Sequence, residues 1–123
     1  MVTGTVNSVL EGIVSLPIQH AHGQWHDVDA VVDSAFTRSL TLTPALIRSL
    51  GLLRSSRIQL ILADGTITWF DVFEATVIWN SRHQTIEVEA SDVFPLIGTR
   101  MMAGYQLRID FVVGGAVAIE ELP

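Results

Sequence analysis

The chain has 123 residues, 49% of them hydrophobic and 16% charged, a length and balance that fit one cored module, residues 1–123, rather than two. Nine glycines and four prolines without a period exclude a collagen-like chain, the apolar content excludes disorder, and the absence of cysteine excludes disulfides, thiolate metal sites and a cysteine nucleophile. Seven arginines, with no lysine, face thirteen acidic residues for a formal charge of −6, and they scatter from Arg38 to Arg108 without a stripe that could follow phosphates, so nucleic acid is not an expected partner.

Residues 1–10 alternate polar and apolar without the basic-then-apolar order of a signal peptide. No run reaches the roughly 18 apolar residues of a bilayer span. The expectation is a cytoplasmic protein with no membrane partner. Next, Val14, Leu16 and Ile18 alternate with Ser15, Pro17 and Gln19, and Ala21-His22-Gly23-Gln24 turns the chain into residues 26–33, which predicts a hairpin. Ala30-Val31-Val32 is apolar on both faces, as in a central strand, and Asp33 ends that run.

Thr43 as N-cap, Pro44 at the first helical position, a Leu46, Ile47 and Leu50 stripe and Gly51 as stop predict one helix. Residues 58–62 and 67–79 flank Ala63-Asp64-Gly65, and Asp-Gly between apolar runs predicts a long hairpin. Its second arm carries Ile67, Trp69, Phe73, Ala75, Val77 and Trp79 on one parity, broken by Asp71, and predicts a continuous apolar face. After a turn at Asn80-Ser81-Arg82, Ile86, Val88 and Ala90 alternate with Thr85, Glu87 and Glu89 in a half-exposed strand. A short helix over 99–104, a strand carrying Leu107, Ile109, Phe111 and Val113, and a Gly114-Gly115 hairpin into 116–120 complete an all-β domain with one or two short helices. Residues 30–34 and 94–98 are weak echoes of each other, each an apolar stretch ending at a small residue.

The segment richest in chemistry is Ala30-Val31-Val32-Asp33-Ser34-Ala35-Phe36, a buried strand ending in a carboxylate and a hydroxyl. From these residues alone two readings of Asp33 stand, a local cap of the turn and a functional carboxylate. Val31-Val32-Asp33-Ser34-Ala35 resembles the catalytic signature of aspartic proteases, an apolar pair followed by Asp, Thr or Ser, and Gly or Ala. In order after it come residues 39–47, the Ala63-Asp64-Gly65 hairpin and Pro95-Leu96-Ile97-Gly98. That last block resembles the apolar-apolar-Gly motif of the single-lobe, retroviral-type aspartic proteases. The resemblance runs from about Gly4 to Glu120 and is to the small prokaryotic members of that clan in particular.

The resemblance implies a closed, barrel-like acid-protease lobe acting as a homodimer on extended peptide or protein substrate, with no metal or organic cofactor. Asp33 takes the catalytic role; Ser34, Ala35, Leu96, Ile97 and Gly98 support the catalytic loop; Ala63, Asp64 and Gly65 form the flap. Only one such Asp motif occurs, and the chain leaves no room for a second lobe, so a complete dyad needs Asp33 from two copies. Ser34 replaces the more usual Thr and keeps the hydroxyl that bonds across the dimer axis. Ala35 stands where Gly is commoner, and if that position needed positive φ, alanine would cost about 1–2 kcal/mol. A catalytically silent protease-fold module that dimerises or captures peptides is the rival reading, and a structural β-barrel in which Asp33 caps a strand is a third. His20, His22 and His26 surround an exposed turn without a carboxylate-rich ligand set, His83 is a solvated turn residue, Met101-Met102 fills core, and no Gly-x-Ser-x-Gly elbow occurs.

Overall fold

The computed structural model describes residues 1–123. β1 (Val2–Val6) leads into β2 (Gly12–Gln19), whose Val14, Leu16 and Ile18 point inward and are almost fully buried. The turn to β3 (Trp25–Val32) uses Gly23 at φ 93, a backbone conformation that glycine adopts without strain. β4 (Leu40–Leu42) is buried throughout. In α1 (Pro44–Leu50), the Thr43 hydroxyl accepts from the Leu46 N–H at 3.2 Å, and Gly51 closes the helix at φ 68. Its Ile47 and Leu50 enter the core.

β5 (Arg54–Ile61) and β6 (Ile67–Trp79) form the long hairpin. β7 (Arg82–Ala90) follows a two-residue turn in which Asn80 and Ser81 both have positive φ, 51 and 64, the twist that suits a tight hairpin. β8 (Leu96–Ile97), β9 (Tyr105–Ile109) and β10 (Ala116–Glu121) complete the chain. The strands hydrogen-bond in the order β5-β6-β7-β4-β8-β3-β2-β1-β10-β9. One further pair, Ile18↔Val77, brings β2 onto β6 and closes the middle strands into a ring. Trp79, Leu16, Ile18, Leu40, Leu42, Leu50 and Ile97 fill it. No helix is long and apolar enough to cross a membrane.

Four expectations need correction. Residues 99–104 form turns, not a second helix. Met101 and Met102 donate three residues back to Gly98 and Thr99, Gly104 at φ 86 stops the winding, and both methionines pack into the core. The strand expected through Val113 stops at Ile109, because Gly115 folds back until its Cα sits against the Asp110 carbonyl. Phe111 is therefore 63% exposed. The apolar face of β6 is buried only at its inner end, while Ile67 and Trp69 stand out in solvent at 57% and 56% exposure. Glu89, expected on the open face of β7, is only 4% exposed, since β4 and β6 pair with that end of the strand from both sides.

Candidate active site

The two echoing segments turn out to be partners. Val31 and Val32 at the end of β3 pair in parallel with Leu96 and Ile97 of β8. The Val31 N–H donates to the Pro95 carbonyl at 2.8 Å, and the Asp33 N–H donates to the Ile97 carbonyl at 2.9 Å. Asp33 thus starts its loop from a backbone held on its far side by β8. Its Oδ1 accepts from the Ala35 N–H at 2.9 Å, and its carbonyl accepts from the Phe36 N–H at 3.2 Å. Oδ2 makes no hydrogen bond within the chain. The local cap and the free carboxylate oxygen belong to the same side chain, so the two readings of Asp33 are compatible.

The loop's return leg, residues 36–39, is fastened to the segment after β8. Gly98 donates to the Ser39 carbonyl at 2.9 Å, Thr99 to that of Phe36 at 2.8 Å, and Arg100 to that of Arg38 at 3.2 Å. The Thr41 hydroxyl accepts from the Leu96 N–H at 3.0 Å. This approach leaves no room at Gly98: a Cβ there would lie 2.6 Å from the Phe36 ring, 2.7 Å from the Phe36 carbonyl oxygen, and closer still to that of Arg38.

Arg38 adds a tie that the sequence did not announce. Its guanidinium donates through Nε to the buried Glu89 carboxylate and through Nη2 to Glu87 at 2.7 Å, fastening the loop to β7. An ion pair this sheltered is costly to break from one side, because the survivor is left charged without a partner.

Ala35 lies outside the left-handed region; among non-glycine residues only Leu10, Asn80 and Ser81 have positive φ. Its methyl group therefore carries none of the strain considered from sequence. Ala35→Gly is expected to change unfolding free energy by less than about 1 kcal/mol, toward lower stability through the freer unfolded chain, as measured by urea titration.

A groove of about 470 Å³ opens beside Asp33. Val31, Val32, Asp33 and Ser34 form one side with Leu96; Leu10, Glu11 and Gly12 from the β1–β2 turn and Leu107, Ile109 and Phe111 from β9 and its following loop form the other. Asp33 is half-buried and Ser34 exposed. The structure thus brings Asp33, Ser34 and Leu96 to one groove and sets Ala35, Ile97 and Gly98 around the loop that carries the acid. The groove's second wall was missed from sequence. Its residues come from strands that are neighbours only in space, and no local motif marks them.

Ala63, Asp64 and Gly65 sit at the tip of the β5–β6 hairpin and line no part of that groove. The tip is closed by its own bonds: Leu62 donates to Thr66 at 2.8 Å, Gly65 to Leu62 at 2.9 Å, and the Asp64 carboxylate accepts from both the hydroxyl and the N–H of Thr66. The Thr66 hydroxyl, then its N–H, hold the Asp64 carboxyl below the ordinary aspartate range. Because the folded value is depressed, the bonds favour the folded tip above the unfolded value and are lost as pH falls through the folded one. A carbon-detected NMR titration should find the Asp64 midpoint below that of a free aspartate, and Thr66→Ala should return it toward the ordinary value. Elsewhere, the rings of His20 and His22 stack at 5.1 Å in the β2–β3 turn, with His20 Nδ1 accepting from the His22 N–H.

No model of a known protein family matches the sequence, and no curated protein matches it. Among solved structures, the crystal structure of a retropepsin-like aspartic protease from Rickettsia conorii covers 98% of this chain and 89% of its own, with a TM-score of 0.62 at 14% identity. The fold is retropepsin-like.

Proposed function

We propose that the chain is an aspartic endopeptidase, active as a homodimer in which Asp33 of each copy forms one shared dyad. The observation that carries the reading is the placement of Asp33. It ends a central strand at a groove, with one carboxylate oxygen fixed by the Ala35 N–H and the other unengaged, in a chain whose fold is retropepsin-like.

Two carboxylates about 4 Å apart at an effective dielectric near 20 repel by about 4 kcal/mol, so one proton is retained between them, as in aspartic proteases generally. The ionised partner takes a proton from water as its oxygen attacks the peptide carbonyl carbon, and the protonated partner gives its proton to the carbonyl oxygen. The resulting diol collapses with cleavage of the C–N bond and protonation of the leaving nitrogen, restoring the shared proton. Ser34 would bond across the twofold axis and hold the two loops together. The β5–β6 tip would close over an extended peptide and exclude water, which in this arrangement is a role in the assembled dimer, since the tip lines no groove in one chain. The rival silent module drew its support from Ala35; the absence of positive φ there supports the peptidase reading as far as backbone strain is concerned.

The test is incubation of the purified protein with an unstructured peptide library at acid and neutral pH, beside Asp33→Asn, with sedimentation to establish the dimer. Cleavage with a bell-shaped acid optimum, lost in the variant, is expected. A monomer at all concentrations, or rates flat from acid to alkaline pH, would remove the reading.

A further inference from the structure

Apart from Asp33, the groove lining holds one charged residue, Glu11, and no arginine, lysine or histidine. Glu11 belongs to a turn that a single side chain organises. Asn7 donates its N–H to the Glu11 carbonyl at 2.9 Å; its Oδ1 accepts from the N–H groups of Val9 at 3.1 Å and Glu11 at 2.9 Å; its Nδ2 donates to Glu11 Oε1 at 3.0 Å. Within this turn Leu10 is held at φ 64, a left-handed conformation that is strained for a residue with a side chain. Such strain persists where the surroundings over-determine the backbone, and it clusters at functional sites. Its effect here is to set Leu10 and a tethered Glu11 on the groove wall together. The carboxylate keeps Oε2 free, and the proposed chemistry does not use it.

We infer that Glu11 is a specificity-determining residue that selects peptides carrying a lysine or arginine near the scissile bond, an inference that rests on the peptidase reading above. Glu11 and the charge of the Asp33 dyad, with no cation in the lining, give the groove a negative potential, apolar walls such as Leu107 and Phe111 focus it, and the chain's charge of −6 adds to it at longer range. A basic side chain suits both features, laying its aliphatic stem along Leu10 and its charge on Glu11. An acidic side chain in the same place meets two carboxylates.

The test is a set of fluorogenic peptides identical except for Lys, Gln or Glu at each position flanking the cleaved bond. At one position the dimeric wild type should favour Lys over Glu by about five-fold or more in kcat/KM, carried mainly by KM, and the ratio should shrink as salt is raised. Glu11→Gln keeps an acceptor for Asn7 Nδ2 and should bring the ratio close to one; Glu11→Arg should reverse it. Matching thermal unfolding midpoints show that the variants fold, and the Gln variant alone decides the matter if the Arg variant does not. Equal cleavage of all peptides by wild type, or a Lys preference that survives in Glu11→Gln, overturns the inference and leaves the peptidase reading standing. Failure of wild type to cut any peptide overturns both.

Discussion

On the proposed mechanism Asp33→Asn is expected to lower peptide cleavage by roughly a thousandfold or more, since positioned acid–base catalysis is worth about 10²–10⁴-fold and the variant dimer would lose both the acid and the base. The substitution is nearly isosteric. Asn Oδ1 can still accept from the Ala35 N–H, and the backbone bond from Asp33 to Ile97 is untouched, so unfolding free energy should move by less than about 1 kcal/mol. Removing the dyad's negative charge from the axis should leave dimerisation no weaker than in wild type. A mixing experiment sharpens the point. If each site takes one Asp33 from each copy, an equal mixture of wild type and variant, allowed to exchange, retains only about a quarter of its dimers with two aspartates, and activity should fall to that fraction of an equal total concentration of wild type. Activity falling only by half would mean that each chain holds a complete site. Full activity in Asp33→Asn would mean that the acid is a turn cap and nothing more.

Local chemistry made much of the fold legible before any coordinates. Gly23, the Thr43 cap with Pro44, Asp64-Gly65 and Asn80-Ser81 each act through their nearest neighbours, and each turn or helix they imply is present. What the sequence concealed depends on residues far apart along the chain. Glu89 is buried between β4 and β6 and paired with Arg38, 51 residues away, and period-two alternation cannot register neighbours that arrive from distant segments. The alternation through Phe111 and Val113 failed for a similar reason: Gly114 donates to the Val6 carbonyl and the Gly115 carbonyl accepts from the Val6 N–H, which commits the chain to β1 rather than to a longer β9, an instruction written partly in β1. The candidate site divides in the same way. Asp33, Ser34 and the 95–98 block were visible as contiguous motifs, whereas Glu11, Leu107 and Phe111 reach the groove only through the order of strands.

The second large effect is expected from Gly98→Ala, a change of one methyl group in a position with an ordinary negative φ. The atoms that a new Cβ would meet are the Phe36 ring, the Phe36 carbonyl oxygen and the Arg38 carbonyl oxygen. Two of the three are backbone, and both carbonyls already accept hydrogen bonds, from Thr99 and Arg100. Making room therefore means moving the 36–38 segment away from β8 and stretching those bonds, while Arg38 resists from its anchor on Glu89 and Glu87. Overpacking of this kind costs typically 1–3 kcal/mol, and with backbone on one side the upper end, about 3 kcal/mol, is expected. Urea unfolding at fixed protein concentration should show it as a lower midpoint, the concentration being fixed because the proposed dimerisation would contribute to the measured stability. The loop that shifts is the one that carries Asp33, so activity should fall further than the loss of folded protein explains: a displacement of about 1 Å in a reacting group costs around a hundredfold in rate. Comparison with Ala35→Gly separates space from backbone freedom. The two substitutions exchange the same residue types in opposite directions, one on the loop after β3 and one on the segment after β8, and only the one that inserts a methyl between the paired segments should be severe. Equal, small effects from both would mean that the β8 segment does not brace the loop that carries Asp33.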